Sequence, residues 1–313
     1  MKLVITIPAF NEEKTLPKVL SELPQKIQGI DEIQIVIVDD GSMDATSEIA
    51  LKNNTVLVRH TQNMGLAQTF KRALNEALLL NADIIVNIDA DAQYDGAEIQ
   101  KLIQPILEKK ADIVLGSRFL GKIEYMPFGN RFGNQIATAV VRWLTGLKIT
   151  DSQTGFRVFS REAAARMNIL SKYTYTQETL LQAAEYRLAV VEVPVTFRKR
   201  SGKSRLISSL WNYTRNAGLT VLMGYINYRP LRFFLSLGAL SILISSVLGL
   251  RVLLHYLNTG LVSPFLPSAF LAGVLLVVGL QLLFIGLIAE MVKFSRKTSE
   301  DVLYQLKKNK FNE

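Results

Sequence analysis

The chain predicts an α/β domain on a mostly parallel sheet, followed by two helices long enough to cross a bilayer. Short β-branched runs alternate with helical stretches over residues 1–115. Aspartates close two of those runs, at Asp39-Asp40 and at Asp89-x-Asp91. Two further stretches, 233–250 and 265–289, are apolar and carry no charge, which suits membrane spans better than core helices.

Taken in order, the run 4–7 precedes a helical stretch at 15–23, and 33–38 precedes 45–52. Then 55–59 precedes 66–80, 84–88 precedes 97–109, and 113–115 follows. Such alternation implies a mostly parallel sheet covered on both faces. Ligands of such sheets sit at the carboxyl ends of the strands. That rule places 8–12, 39–42 and 89–93 around one crevice. Residues 116–197 read as less regular, with Gly-rich and polar loops and a closing strand at 189–197, and form the acceptor side of the same domain. Residues 206–228 mix aromatic, apolar and basic side chains without acids, as amphipathic helices on a membrane surface do. The expected organisation is a catalytic-type domain at 1–205, juxtamembrane helices at 206–230, two spans within 231–292 and a tail at 293–313.

The 313 residues are 49% hydrophobic, ample for a buried core. Lys2 is followed by an apolar run too short for a secretory leader, so the first domain is expected in the cytosol. The absence of cysteine excludes disulfides and thiolate metal sites. Residues 193–289 hold nine basic side chains and no acidic one, which accounts for the whole net charge of +9. Beside a span, that charge points to anionic headgroups or lipid phosphates rather than to nucleic acid. Arg229 and Arg232 precede the first span and Lys293, Arg296 and Lys297 follow the second, whereas the loop 258–264 has no Lys or Arg. Both termini are therefore expected on the cytosolic side, and the two spans offer a surface on which copies can associate.

The strongest chemical signal is Asp89-Ala90-Asp91-Ala92-Gln93 directly after the run 84–88. Two carboxylates two residues apart at a strand end can hold one Mg²⁺ or Mn²⁺ together with diphosphate oxygens, and such a metal neutralises charge on a leaving diphosphate. A second signal is Asp39-Asp40-Gly41-Ser42 with Asp44. One aspartate can accept from a base or ribose while the other secures the turn, Gly41 permits tight geometry, and Asp44 reads as a helix cap.

Together with Pro8-Ala9-Phe10-Asn11-Glu12-Glu13, these elements resemble the family 2 glycosyltransferases of the GT-A fold, a Rossmann-like α/β architecture. The resemblance covers about the first 230 residues. It implies that Pro8, Phe10, Glu12, Asp39 and Asp40 hold the nucleotide, and that Asp89, Asp91 and Gln93 carry the metal. Gly116-Ser117-Arg118, Asn130-Arg131-x-x-Asn134, Asp151-x-Gln153-Thr154-Gly155-Phe156-Arg157, Gln177-Glu178 and Arg200-Ser201-Gly202-Lys203-Ser204-Arg205 narrow it further. They are similar to dolichyl-phosphate mannose synthase and to the bactoprenol or dolichyl-phosphate glucosyltransferases. The implied reaction moves a sugar from a UDP- or GDP-linked donor to a polyprenyl or dolichyl phosphate, with inversion.

The residues themselves agree with that reading. Arg118 and Arg131, with Asn134 beside them, can grip a phosphate through forked guanidinium groups. Arg200, Lys203, Ser204 and Arg205 can close over the donor diphosphate or bind headgroups. A lipid phosphate is already ionised near neutral pH and needs no general base. Asp151 and Glu178 are the carboxylates available should one be used, while His60 reads as a loop residue and His255 as an interfacial one. Arg142-Trp143 matches part of the Gln-x-x-Arg-Trp signature of processive polysaccharide synthases, but Ala139 stands at the Gln position. A glycan-extending or processive enzyme is therefore the alternative, and Trp143 reads as a core or interfacial aromatic.

Overall fold

The computed structural model describes residues 1–170, 175–199, 225–226 and 228–312. The segment expected to form juxtamembrane helices, 206–230, lies almost wholly outside the described residues. The chain divides into two compact units, Met1–Ala217 with Glu300–Glu313, and Gly218–Ser299.

The first unit is built on seven strands: β1 (Lys2–Ala9), β2 (Glu32–Asp39), β3 (Val56–Arg59), β4 (Ile84–Asn87), β5 (Ile113–Ser117), β6 (Arg157–Ser160) and β7 (Val190–Pro194). Their order across the sheet is β3-β2-β1-β4-β6-β5-β7. The strand pairs are parallel except those that β6 makes with β4 and β5. β1 is apolar on both faces, so it occupies the interior of the sheet. Leu3, Ile5 and Ile7 enter one core with Leu16, Val19, Leu102 and Ile103. Val4 enters the other with Phe70, Leu74 and Phe159. Each of these side chains is at most 3% exposed and adds about 1.5–3 kcal/mol by leaving water.

Helices α1 (Leu16–Glu22), α2 (Thr46–Lys52), α3 (Leu66–Leu79), α4 (Ile99–Leu107), α5 (Phe128–Thr145), α6 (Arg161–Arg166) and α7 (Thr176–Glu185) cover the sheet. The buried residues of α3, Ala67, Phe70, Ala73, Leu74, Ala77 and Leu78, follow the helical repeat. Phe70 stacks on Tyr175 with ring centroids 3.7 Å apart. The helix expected at 97–109 opens instead as a 3-10 turn, Gly96–Glu98, where the Asp95 side chain accepts from Ala97 N.

The stretch 116–197 is more regular than its sequence suggests, because α5, β6, α6 and α7 all lie within it. Helix α5 escapes a periodicity reading because apolar side chains occupy its outer face as well as its buried one, and Gly129 and Gly133 interrupt it. Strand β6 escapes because it is four residues long and begins with an arginine.

The unit also takes in the end of the chain. Tyr304 is 8% exposed; its hydroxyl donates to Glu162 at 2.8 Å and its ring lies under Arg166 at 4.2 Å. Tyr186 donates to Glu300 at 2.9 Å, and Lys307 Nζ donates to the carbonyl of Met167 at 2.8 Å. The tail expected from Lys293 onward is helical, part of Leu266–Asn312.

The second unit centres on that helix and on Pro230–Thr259, both long and apolar enough to cross a membrane. They meet through small residues. Ser241 Oγ donates to Leu275 O at 2.8 Å and Ser245 Oγ to Ala272 O at 2.7 Å, while a Cβ on Gly238 would come within 2.9 Å of Gly279 O. Close backbone approach with hydroxyl-to-carbonyl bonds is how helices associate where water offers no hydrophobic drive. The long apolar helices suggest membrane anchoring.

Candidate active site

The loops that leave β1 and β2 are sewn together by backbone-to-side-chain bonds. Asn11 N donates to Ser42 Oγ, Met43 N to Asn11 Oδ1, and Glu12 N to Thr46 Oγ1, at 2.8, 2.8 and 2.9 Å. Asn11 itself sits at φ 52°, a left-handed conformation that asparagine tolerates better than most residues. Gly41, at φ 77°, has no room for a side chain, since a Cβ would come 2.8 Å from the carbonyl carbon of Gln62. The first two expected elements are thus one construction.

Asp39 and Asp40 divide the work. Asp39 is fully buried and accepts from Ser42 N at 2.8 Å and from the Ser47 hydroxyl, so it secures the turn. Asp40 lines a cavity of about 300 Å³ together with Pro8, Phe10, Glu12, Asp89 and Asp91. Its carboxylate is aimed by Met64 N at 2.8 Å, Gly65 N at 2.9 Å and His60 Nδ1 at 2.8 Å. His60, read from the sequence as a loop residue, thus bonds the Asp40 carboxylate from outside the cavity lining.

Asp89 and Asp91 follow β4 and reach the same cavity. Ala92 sits at φ 58°, a left-handed conformation that costs a non-glycine residue about 1–2 kcal/mol and marks a tightly specified turn. Gln93 is turned away: it is absent from the cavity wall, its backbone N donates to Asp91 Oδ1 at 3.1 Å, and its Nε2 donates to Arg198 O at 3.3 Å. Among the described residues no group of three or more His, Asp or Glu is placed to hold a metal. Asp89 and Asp91 nonetheless offer the cavity hard carboxylate oxygens, the donor type that a cation such as Mg²⁺ or Mn²⁺ takes together with phosphate and water.

Asp89 rests against the backbone of Gly155. A Cβ on Gly155 would lie 2.7 Å from Asp89 Oδ1 and closer still to Oδ2. The glycine is held in place by Asn87 Nδ2, which donates to its carbonyl at 2.9 Å and to the Tyr175 hydroxyl at 3.0 Å. Tyr94 bonds Thr154 Oγ1 at 3.2 Å. Burial raises the pKa values of both phenols, Tyr94 and Tyr175, so each stays neutral and able to donate.

Next to this wall, Arg118 and Asp151 form a buried pair. Arg118 Nε donates to Asp151 Oδ2 at 2.7 Å and Nη2 to Oδ1 at 2.8 Å, with Arg118 N joining at 3.1 Å. Asp151 is fully buried and Arg118 is 7% exposed. Burial works against the Arg118 charge, but hydrogen bonding and charge pairing with Asp151 hold it, so its pKa lies above the usual guanidinium value. Nη1 is the one guanidinium nitrogen of Arg118 left without a hydrogen bond among the described residues. Arg131 is exposed on the first turns of α5, with Asn134 buried one turn on. Glu178 lies on α7, where Oε1 accepts from Leu170 N at 3.0 Å. Arg200, Lys203, Ser204 and Arg205 lie outside the described residues.

The signals that sequence reading passed over were polar residues in apolar company. Asn87 interrupts the run 84–88, and Gly155 and Arg157 stood in a quoted motif without a role. Among known proteins, residues 4–167 match glycosyl transferase family 2. The chain is 33% identical over 216 residues to a UDP-N-acetylglucosamine–dolichyl-phosphate N-acetylglucosaminyltransferase of Methanococcus voltae, covering 61% of this chain and 83% of that one. It is 32% identical over 228 residues to a dolichol-phosphate mannosyltransferase of Pyrococcus furiosus, covering 69% and 62%. In fold it resembles glucosyl-3-phosphoglycerate synthase of Mycobacterium tuberculosis, solved with Mn²⁺, UDP-glucose and phosphoglyceric acid. That likeness has a TM-score of 0.57 at 22% identity over 71% of this chain and 79% of the other. With a GT-A-like sheet, acidic strand ends around one cavity and a family match over more than half its length, the chain belongs to glycosyl transferase family 2.

Proposed function

We propose that the protein transfers a hexose or N-acetylhexosamine from a UDP- or GDP-linked donor to a polyprenyl or dolichyl phosphate at the cytosolic membrane face, with inversion. The observation that carries the donor half is that Asp40, Asp89 and Asp91 line one cavity of about 300 Å³. Asp40, held by Met64 N and Gly65 N, presents acceptor oxygens to a nucleoside. Asp89 and Asp91 supply the hard oxygens for a cation on the diphosphate. Bound there, a divalent cation would neutralise charge on the departing nucleoside diphosphate. The acceptor half is supported by the similarity to lipid-phosphate transferases. Arg131 grips the acceptor phosphate, and Arg118 adds Nη1. Asp151 is committed to Arg118, which suits an orienting role better than proton removal, and an ionised phosphate needs no base.

The defining assay incubates the purified protein with a panel of UDP- and GDP-sugars, a polyprenyl phosphate and Mg²⁺ or Mn²⁺, and analyses the lipid product. Excess EDTA abolishes transfer, and Asp89→Asn or Asp91→Asn lowers turnover by roughly a hundredfold or more. Full activity in EDTA overturns the donor half. Gly155→Ala probes the same site without touching a charge. The added Cβ displaces the end of a side chain rather than backbone, so the melting temperature stays near that of the parent. Mn²⁺ affinity measured by calorimetry falls roughly 10- to 100-fold, as it does when a ligand loses its support. An unchanged affinity removes the metal from Asp89.

The two arginines separate acceptor binding from structure. Arg131→Ala removes charge-assisted bonds worth about 1.5–3 kcal/mol. It therefore raises the KM for polyprenyl phosphate roughly 10- to 100-fold and leaves nucleotide-sugar binding unchanged. Arg118→Ala strands a buried carboxylate at a cost of about 3–5 kcal/mol, so the thermal midpoint drops as well. Equal KM values for phosphorylated and unphosphorylated polyprenol refute the acceptor assignment.

We infer that both termini lie on the cytosolic side with the catalytic unit. Residues 300–307 pack within the unit that holds β1–β7, and only an even number of crossings returns a chain to the side it left. Basic flanks on the outer ends of the apolar helices point to the cytosol. Reporters at Asn258 and after Glu313 are expected on opposite sides of the membrane; the same side for both eliminates the two-span arrangement.

A further inference from the structure

Helix α5 is apolar on two opposed faces. Its buried face, Ala137, Val141 and Leu144 with Asn134 and Thr138, packs into the first unit. Its outer face carries Phe128, Phe132, Ile136 and Trp143, exposed by 83%, 56%, 49% and 62%. At 100° per residue those four and Ala139 fall within about 80° of arc, directly opposite the buried set. Phe128 and Phe132 are stacked on each other, with centroids 6.3 Å apart, in the open. A helix of a water-soluble surface keeps its outer face polar. Here the polar side chains Arg131, Gln135 and Arg142 form a narrow edge, within about 40° of arc, between the two apolar faces. The helix contains no acidic residue. Across 120–148 the exposed charges are Lys122, Arg131, Arg142 and Lys148 against the single carboxylate of Glu124.

We infer that the outer face of α5 seats in the headgroup region of an anionic bilayer, with Phe128, Phe132, Ile136 and Trp143 below the phosphates and Arg142 pairing with them. A lipid surface accounts for three features together. Aromatic side chains, Trp above all, prefer the membrane–water boundary. A one-signed basic edge matches anionic headgroups. A second apolar phase is what a second apolar face requires. The inference rests on the reading that the two long helices anchor the chain in a bilayer. It goes beyond that reading by bringing the catalytic unit's own surface into the membrane, and it gives Trp143 a place that the processive-synthase signature did not.

The test uses the two tryptophans of the chain, Trp143 and Trp211. Full-length Trp211→Phe protein is placed in nanodiscs of phosphatidylcholine with roughly 30% phosphatidylglycerol, where an anionic surface potential develops. Phosphatidylcholine brominated at shallow or deep acyl positions then replaces part of the lipid. Trp143 emission is expected to fall at least about twofold with shallow bromines, less with deep ones, as for a residue near the headgroup boundary. Arg142→Glu with Lys148→Glu is expected to halve that quenching. The same signal, read as the difference between wild type and Trp143→Phe, covers a folding defect in Trp211→Phe. A control with both native tryptophans replaced by Phe and Leu250→Trp in the first apolar helix must be quenched by deep bromines. If it is not, the anchoring reading has failed. If it is, and Trp143 responds to aqueous acrylamide but not to brominated lipid, this inference is overturned. Protection of Trp143 from both quenchers in discs holding two copies likewise overturns it, in favour of a second copy of the chain.

Discussion

A guanidinium with no access to water organises the wall of this site. Arg157 is fully buried, and burial pushes its pKa down to about 10, so it remains charged at neutral pH. A buried cation is tolerated only when its donors are met. Nε donates to Thr154 O at 2.8 Å, Nη2 to Ser152 O at 2.8 Å, and Nη1 to Thr176 O and Thr179 Oγ1 at 2.7 and 2.6 Å. Three carbonyls and a hydroxyl are thereby fixed at once. The turn 152–156 cannot drift from the start of α7, and Gly155 within that turn stays against Asp89. The geometry of the Asp89 carboxylate thus depends on a cation that never touches it.

The direction of β6 explains why that turn is in reach. In a parallel sheet every loop at the carboxyl edge leaves a strand. Because β6 runs antiparallel between β4 and β5, the chain before it arrives at that edge. Residues 151–156 therefore meet the exits of β4 and β5, and Asp151 finds Arg118 just beyond Ser117. Pairing of Asn87 with Arg157 in the ladder sets the register that lets Asn87 bond Gly155.

What the sequence made legible follows from locality. The run 84–88 with its aspartates and the β1 and β2 exits are short-range patterns, and the structure brings Pro8, Phe10, Glu12, Asp40, Asp89 and Asp91 to one cavity. Which of Asp39 and Asp40 faces that cavity was not legible, because the answer lies with Met64 and Gly65, 24 and 25 residues away. The Arg118–Asp151 pair spans 33 residues, and each partner alone reads as a free functional group. Gln93 sits where spacing suggests a metal ligand, yet its amide is drawn to Arg198 O, 105 residues on. Helix α5 was hidden for a different reason: its apolar side chains occupy two opposed faces and leave its polar ones only a narrow edge.

The docking of residues 300–307 makes the catalytic unit discontinuous in sequence. Residues 300–307 are synthesised later than both apolar helices. The α6 surface that receives Tyr304 therefore waits uncovered while the intervening apolar helices are made. Completion of the globular unit is thus tied to the helices between its two pieces, and a chain stalled within them would present an unfinished surface to quality control.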